Sequence, residues 1–337
     1  MQVVRPSELA ADDRARWRRI LAGDPRLEGP FLTPAFADTV GAVRRDCRIA
    51  IIGGPEDRRA YLGFHVDRGG AGRPLGRKFA DHQALIAEEG AVSDARALVR
   101  ACGLRNMAFD HLVADDRLFA PHVTAVDHAP RVDLRLPAAE PPKEAALKRR
   151  RLERRHGVRF CWHDAAPDAL ATLLRWKSQQ YRRTGQFDLT TRPWAVELLE
   201  RLLADPRPEL TAVMSTLRDD RGVLVAAHLG LRSGTFLHSW LPAYDPDLFK
   251  LSPGLVLLAD IVEHAPQEDV EIVDLGKGAE DYKARFANAT APVATALVPA
   301  GPFGAATARV AARSLDLLYR TPLGERGNRL RRRIQVG

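Results

Sequence analysis

The stretch that decides the fold runs from Val223 to Phe286 and reads VLVAAHLGLRSGTFLHSWLPAYDPDLFKLSPGLVLLADIVEHAPQEDVEIVDLGKGAEDYKARF. Its β-prone runs, turn residues and apolar helical segment predict strand, turn, strand, loop, helix, strand and helix. Ser233-Gly234 is a tight-turn signal between the two opening strands. This order predicts an α/β protein with a mixed, mostly antiparallel sheet.

A possible anion site lies inside this stretch, where Ser252-Pro253-Gly254 precedes the apolar run from Leu255 to His264. Proline presets the dihedral angle of a first helical turn, and glycine lets a ligand approach the backbone. A helix N-terminus presents unpaired N–H groups and the positive end of the helix dipole. We therefore predict a phosphate- or pyrophosphate-binding helix start at this point.

Four segments together resemble one branch of the GNAT-type N-acyltransferases. They are Trp176 to Gly185, the strand that contains His228, the Ser252-Pro253-Gly254 loop, and Asp274-Leu275-Gly276 followed by Tyr282-Lys283. The branch is the BioF2-like or CelD-like acetyltransferase family, which is related to the FemXAB transferases. The likeness covers roughly residues 143–298, and the first 140 residues resemble the family only loosely.

The resemblance implies two GNAT-like modules in tandem around a central cleft, with acetyl-CoA or another acyl-CoA as co-substrate. The acceptor it implies is a small or sugar-linked amine, in envelope or exopolysaccharide (cellulose-type) synthesis. It places the acyl-CoA on a central strand and on the loop and helix start that follow. The cofactor-binding residues are then His238, Ser239, Trp240, Leu241, Lys250, Ser252, Pro253, Gly254 and Leu255.

The chain is long enough for two domains, and three prolines in Pro137 to Pro142 predict a linker. We assign residues 1–136 to an N-terminal GNAT-like module and residues 143–300 to the acyl-CoA-binding module. Residues 301–337 are predicted to form a basic helical tail. In the N-terminal module the pattern predicts helices at Glu8 to Leu21, Gln83 to Glu89 and Ser93 to Cys102.

The net charge of +8 is concentrated in two segments. Residues 143–159 hold eight basic against two acidic residues, and residues 325–333 hold five against one. This distribution argues against a uniformly basic nucleic-acid binder. The basic run Lys148 to Arg155 is a solvated face, a site for the 3′-phosphate of CoA, or a site for an acidic polymer.

Other features bound the cellular setting. No apolar run reaches the ~18 residues that a membrane helix requires, and Met1 to Leu9 lacks a signal-peptide pattern. Cys47, Cys102 and Cys161 are widely spaced, as in reduced cytoplasmic proteins. No Cys/His spacing predicts zinc, so we expect no metal. A cytoplasmic protein is the expectation, and partner proteins are not identified.

Acyl transfer to an amine needs a neutral amine and a proton for the departing thiolate. His228, among the small residues Ala226, Ala227 and Gly230, is a candidate proton acceptor, or else a core histidine. Asp274, at the end of an apolar strand, is a second candidate, or else caps the following turn.

Tyr282 is the candidate proton donor to the thiolate. With His228 and Asp274 it completes the predicted catalytic set. His238 shares a strand face with Phe236 and Trp240 by the alternation of a β-strand.

Three segments are predicted to line the acceptor pocket. Lys177, Gln180 and Tyr181 recur at helical spacing and so share one polar face. Lys283, which directly follows Tyr282, is the second segment. Asp81, His82 and Gln83 resemble a family loop, although Asp81 equally fits an N-cap of the helix predicted from Gln83.

Two other functions stay open. A FemXAB-like transferase would use aminoacyl-tRNA, and its Arg-rich helix would then bind RNA. A non-catalytic GNAT-like accessory protein of polysaccharide assembly would bind neither donor. Apart from tRNA under the first alternative, a nucleic-acid partner is not expected.

Overall fold

The structure is a computed structural model that describes residues 1–67, 69–113, 117–137, 141–186, 188–278 and 280–301. The predicted basic tail lies outside the described residues from position 302 onward. Three of the six predicted linker residues, 138–140, also lie outside them. The division of the chain into two modules at this linker stays a prediction.

The first half of the chain alternates short strands with three helices. Its elements are β1 (Gln2–Val4), α1 (Ala11–Gly23), α2 (Pro34–Val43), β2 (Cys47–Gly53), β3 (Arg59–Val66), β4 (Ala71–Pro74), β5 (Ile86–Ala87), α3 (Ala95–Ala101), β6 (Asn106–Val113) and β7 (Val123–Asp133).

The second half carries the longer helices and the central strands. Its elements are α4 (Lys143–His156), β8 (Arg159–Cys161), α5 (Asp168–Thr184), α6 (Pro193–Ala204), β9 (Thr211–Arg218), β10 (Leu224–Ser233), β11 (Phe236–Tyr244), α7 (Pro253–His264), β12 (Ile272–Asp274), α8 (Asp281–Phe286) and β13 (Ala289–Pro299).

One continuous sheet joins both halves, in the order β1-β2-β3-β4-β6-β13-β7-β12-β11-β10-β9-β8, with β5 beside β3. Strand β13, from the end of the described chain, pairs with β6 and β7 of the first half. Strand β7 in turn pairs with β12 of the second half. Most pairs are antiparallel, while β4-β6 and β11-β12 are parallel. The predicted mixed α/β class is therefore confirmed.

The parallel pair β11-β12 is short, and the two strands separate after three residue pairs. Phe236, Leu237 and His238 face Ile272, Val273 and Asp274. Strand β12 then ends, whereas β11 continues to Tyr244 with β10 as its only strand partner in the described part of the chain. The edge of β11 from Ser239 onward thus opens into a wedge, which we call the β11 wedge.

The two halves also share a hydrophobic core. Phe31 and Phe36 of the first half belong to the same buried cluster as Leu173, Leu198 and Leu229 of the second. Helices α5 and α6 cover this face of the sheet, and α4 and α7 belong to the separate cluster around Val256 and Leu257. Apolar burial of this extent favours one structural unit.

Two predictions for the first half were wrong. Residues 83–89 are not helical: Gln83 bridges to Leu112, and β5 pairs with β3. The first predicted helix begins at Ala11 instead of Glu8, after a short 3-10 turn at Pro6–Glu8. Helix α2 was missed, although Thr33 accepts a hydrogen bond from Phe36 N and Pro34 follows it, as at a typical helix start.

Candidate functional site

His238 stands at the point where β11 and β12 separate. Its Nδ1 lies 2.9 Å from Asp274 Oδ1, and its Nε2 lies 3.0 Å from Asp81 Oδ2. The ring is fully buried and packs edge-on against Phe31. Burial by itself would lower the pKa of His238, but the bonds to the two carboxylates raise it to about 9. The ring is therefore protonated at neutral pH.

Asp274 holds this end of β12 through several donors. Arg131 Nε donates to its Oδ2 at 2.9 Å, and the backbone N–H of Gly276 donates to its Oδ1 at 2.9 Å. Burial opposes ionisation, but the hydrogen bond from His238 and the nearby His82 ring hold the pKa of Asp274 well below its usual range. Asp274 therefore both stabilises the Gly276 turn, as the simpler prediction had it, and orients His238.

Sequence reasoning missed Arg131. It lies on β7, directly opposite Asp274 in the antiparallel register, and 143 residues before it in the chain. No local pattern marks it, because the contact exists only once β7 joins the second half of the sheet.

The loop Asp81-His82-Gln83 reaches the same centre from the first half. Gln83 pins the loop: its side chain bonds to Ala80 O, to Asp110 Oδ1 and to the backbone N–H groups of Asp110 and His111. Since no helix begins at Gln83, the N-cap reading of Asp81 is wrong. Gln83 thus supports the loop and does not itself face His238.

His82 is buried beside the ion pair that His238 forms with Asp274. Its Nε2 lies 3.7 Å from Asp274 Oδ2, and burial lowers its pKa against the effect of Asp274. A Cβ at Gly29 would lie 2.2 Å from His82 Nδ1, so only glycine leaves room for this ring. His82, Phe236 and His238 form a stack of edge-to-face contacts.

His228 belongs to a second cluster, on β10. Its Nε2 lies 3.0 Å from Ser239 Oγ, while its Nδ1 is buried without a hydrogen-bond partner. Burial, together with the charges of His238 and Lys177, lowers its pKa to about 3. His228 is therefore neutral at physiological pH and accepts a proton poorly. Ser239 is half-buried, at the first position of the β11 wedge.

Lys177, Gln180 and Tyr181 do share one face of α5, as predicted. Lys177 Nζ donates to Gln180 Oε1 at 3.2 Å and lies 5.5 Å from the centre of the Tyr181 ring. Lys177 and Tyr181 line a narrow cavity together with Leu241 of β11 and with Phe79 of the first half. Burial lowers the pKa of Lys177 to about 8 and raises the pKa of Tyr181.

The side chains of Trp240 and Leu241 belong to the hydrophobic core. Trp240 packs edge-on against Phe31 and Phe79, and Leu241 contributes to the cavity beside Lys177. A ligand in the β11 wedge would therefore meet the backbone N–H and C=O groups of these residues instead of their side chains.

Tyr282 and Lys283 lie on α8, after the Gly276 turn. Lys283 Nζ donates to the carbonyls of Gly276 and Lys277, at 3.2 and 3.0 Å, and pairs with Glu280 at 3.1 Å. Two hydrogen bonds and one ion pair thus hold Lys283 at the turn. Tyr282 is 36% exposed, and its partial burial and Glu280 raise its pKa, so the phenol stays protonated.

Helix α7 begins as the sequence predicted. Pro253 occupies its first turn, Ser252 adopts a left-handed conformation with φ 53°, and Gly254 lies against Tyr244 of β11. Leu255 N–H and Val256 N–H bond to Ser252 O. Lys250 immediately precedes this turn, and its carbonyl accepts a hydrogen bond from Lys148 of the basic helix α4 at 3.4 Å.

His82, His238 and Asp274 each offer one ligand atom within 4.8 Å of the others, which is a spacing compatible with a metal ion. Both nitrogens of His238 are already bonded to carboxylates, and the Arg131 guanidinium occupies Asp274 Oδ2. A cation there would face the guanidinium at close range. The arrangement is therefore better described as a buried ion-pair network than as a metal site.

Comparison with known families gives one match, in the second half of the chain. Residues 143–284 match the family model of the acetyltransferase (GNAT) domain. The predicted resemblance is thereby confirmed for this domain, whereas the narrower BioF2-like or CelD-like assignment stays a prediction. Comparison with curated protein sequences gives no significant match.

Solved structures share the fold over nearly the whole chain. The C-terminal domain of a putative lysylphosphatidylglycerol synthetase from Agrobacterium fabrum has a TM-score of 0.55 at 17% identity, covering 90% of this chain and 96% of its own. FemX has a TM-score of 0.58 at 10% identity, covering 87% and 97%. L-PGS from Bacillus licheniformis has a TM-score of 0.53 at 13% identity, covering 84% and 91%. At these identities the likeness establishes the fold alone.

No helix within the described residues combines the length and the apolar composition needed to cross a bilayer.

Proposed function

We propose that this protein is an acyl-CoA-dependent N-acyltransferase. The observation that carries the proposal is the separation of the parallel strands β11 and β12 at His238 and Asp274, within a segment that matches the GNAT domain. The wedge leaves one backbone edge of a central strand without a strand partner in the described part of the chain. Such an edge is suited to polarise a thioester carbonyl, because preorganised N–H groups stabilise the charge that develops on its oxygen.

The proposed acyl-CoA site runs from the β11 wedge to the start of α7. Backbone groups of His238, Ser239, Trp240 and Leu241 would face the thioester and the adjoining chain. The first turn of α7, from Ser252 through Leu255, would receive the pyrophosphate through the N–H of Gly254 and the positive end of the helix dipole. Pro253 has no N–H, and the N–H groups of Ser252 and Leu255 already bond to Phe249 O and Ser252 O. Lys250 adds a positive side chain just before this turn.

The proposed catalytic roles follow from the protonation states. Tyr282 keeps its proton, because burial and Glu280 raise its pKa, and its O–H is the proposed donor to the departing thiolate. His228 is neutral and holds the hydroxyl of Ser239 at the wedge. Asp274 fixes His238 and closes the wedge at its narrow end. In these assignments His228 and Asp274 position other groups of the site, and neither accepts a proton.

The proposed acceptor is an amine that enters between the loop Asp81 to Gln83 and the polar face of α5. Lys177, Gln180 and Tyr181 would line its path, with Lys283 behind the Gly276 turn. The BioF2-like or CelD-like resemblance supports a small or sugar-linked amine of envelope or exopolysaccharide synthesis, in a cytoplasmic setting.

One observation favours a second donor, aminoacyl-tRNA. The basic helix α4 packs on α7, and Lys148 reaches the backbone just before the α7 start. Arg150, Arg151, Arg154 and Arg155 are exposed on α4, so a polyanion bound at the α7 start would pass close to positive charge. The shared fold with FemX supports the same alternative. A non-catalytic accessory protein would bind neither donor.

Calorimetry and thermal shift with acetyl-CoA, longer acyl-CoAs, free CoA and unacylated tRNA test the proposal. A ligand that binds only the native state raises its melting temperature. We expect acetyl-CoA or a longer acyl-CoA to stabilise the protein, and tRNA to have no effect. Salt-sensitive tRNA binding without acyl-CoA binding would indicate that the donor is aminoacyl-tRNA and not acyl-CoA. If neither acyl-CoA nor tRNA binds, the result favours a non-catalytic accessory protein.

A further inference from the structure

We propose that the side-chain amine of Lys177 is the catalytic group that takes the proton from the acceptor amine, because it is a buried lysine without a carboxylate partner that lines the cavity beside β11. The inference rests on the proposed N-acyltransferase function and assigns to that site the general base that the function requires.

The first argument is the hydrogen bonding of Lys177. The residue is only 8% exposed, and its Nζ has one hydrogen-bond partner among the described residues, the amide oxygen of Gln180. Among the described residues, Lys177 also forms no ion pair. Lys283 provides the contrast, since its Nζ donates to two carbonyls and forms an ion pair with Glu280. A buried ammonium needs three acceptors, whereas a neutral amine needs fewer.

The second argument is the charge around Lys177. Lys283 faces it from α8 and disfavours its charged form, while Glu280, just before α8, favours that form. His228 faces it from β10 and stays neutral, and on α5 itself Tyr181 presents a ring face. Burial is the largest effect, and together these groups lower the pKa of Lys177 to about 8. About a tenth of the protein then carries a neutral Lys177 at pH 7.

The other titratable groups at the wedge are poor proton acceptors. His238 is already protonated and is held by two carboxylates. Asp81 and Asp274 are engaged with His238, and their pKa values lie below the usual range of a carboxyl. The pKa of His228 is about 3. A general base works best when its pKa is close to the working pH, and Lys177 meets that condition.

The proposed step balances as follows. The acceptor ammonium gives one proton to neutral Lys177 Nζ, and the freed amine attacks the thioester carbonyl carbon. The new C–N bond forms, the C–S bond breaks, and the electron pair of that bond goes to sulfur. The amine nitrogen then releases its second proton to solvent. The thiolate takes one proton from Tyr282, and the Tyr282 phenolate takes a proton back from solvent. Lys177 then releases its proton to solvent, which leaves an amide and free CoA.

The test uses the full chain with acetyl-CoA as donor and glucosamine as the acceptor amine. We expect kcat/KM of the parent to rise with pH up to about 8, and Lys177→Met to lower turnover by ~10²–10⁴-fold and remove this limb. Lys177→Arg should be equally impaired, because arginine keeps the charge but releases no proton at these pH values. The matched control is Lys143→Met, at an exposed lysine that starts α4, which should behave like the parent.

A second readout needs no turnover and no variant. Competitive labelling of the parent protein with acetic anhydride, followed by peptide mass spectrometry, reports the pKa of each lysine. Lys177 should titrate near 8, and the exposed Lys143 serves as the reference amine. A Lys177 pKa near 10.5, or full activity of Lys177→Arg, overturns the inference and indicates that Lys177 binds an anionic group instead.

The failure of this inference is distinguishable from failure of the proposed function. Acetyl-CoA binding, measured by calorimetry, should survive in Lys177→Met because the lysine is not assigned to the donor. If the parent binds and transfers the acetyl group while Lys177→Met keeps the acidic limb, the role of Lys177 alone falls. If the parent binds no acyl-CoA, the proposed function and this inference fall together.

Discussion

The imidazole of His238 is bonded to the carboxylate of Asp81, 3.0 Å away and 157 residues earlier in the chain. This contact ties the loop of the first half to the narrow end of the β11 wedge. The other ring nitrogen is bonded to Asp274. One protonated ring thus connects both halves at the candidate site, so stability and site geometry are coupled there.

Asp81→Asn should lower the free energy of unfolding by about 3 kcal/mol, because the buried imidazolium loses one of its two carboxylate partners. Urea unfolding at pH 6.5 measures the change. The control is Glu197→Gln, which removes an exposed ion pair with Arg201 and should change stability by no more than ~0.5 kcal/mol. Equal effects of the two substitutions would show that the His238–Asp81 pair is not important for stability.

The contribution of His238 to stability should depend on pH. Its pKa is raised from 6.5 to about 9, so the folded protein holds this proton more tightly than the unfolded chain. The contribution is fully present below pH 6.5 and is lost as the pH rises through 9. The loss should total roughly 3 kcal/mol.

His238→Gln isolates this effect from other titrating groups. The difference in unfolding free energy between the parent and His238→Gln should shrink as the pH rises from 6.5 to 9. Urea titrations at several pH values measure this difference. A difference that stays constant over that range would mean that His238 is neutral in the folded protein.

Gly254→Asp should abolish stabilisation by acetyl-CoA, because a carboxylate would occupy the proposed anion site at the α7 start. Gly254→Asn is the matched control, since its side chain has nearly the same size without the charge. Both introduce a Cβ 3.1 Å from Tyr244 Cδ1, so their common effect measures crowding. Calorimetry with acetyl-CoA gives both affinities. Equal, undiminished affinities would show that the pyrophosphate does not bind there.

Tyr282→Phe should lower turnover by roughly 10²–10⁴-fold, the usual cost of losing a general acid. Affinity for acetyl-CoA should change little, because the phenol is not assigned to the phosphates. Steady-state kinetics and calorimetry on the same preparation separate the two effects. Turnover within a few-fold of the parent would mean that the thiolate leaves without protonation by Tyr282.

Residues 143–337 expressed alone should not unfold cooperatively or catalyse transfer. In that fragment β13 loses both of its partners, β6 and β7, and β12 loses β7 with the Arg131 contact to Asp274. Circular dichroism during urea unfolding measures the loss, and co-expression with residues 1–142 should restore the transition. A fragment with a sharp transition and full activity would remove any need for the first half.

Elements with strong local signals were predicted closely. Helix α4 spans Lys143–His156 and ends at Gly157, which adopts the left-handed conformation that favours glycine. Helix α6 begins at Pro193, a residue whose dihedral angle suits a first helical turn. The helix predicted at residues 83–89 failed because tertiary hydrogen bonds of Gln83 with Asp110 and His111 hold that segment extended.

Local sequence signals predicted the order of elements around β10, β11 and α7, and the helix start at Pro253, because turns, caps and hydrophobic alternation act over a few residues. Which polar residues meet depends on how the whole sheet assembles. Arg131 reaches Asp274, and Asp81 reaches His238, through sheet register and a loop contact that join positions more than 140 residues apart. The sequence did not predict that β13 lies between β6 and β7, for the same reason. Strand pairing over such distances depends on the packing of the whole sheet, which local propensity does not encode.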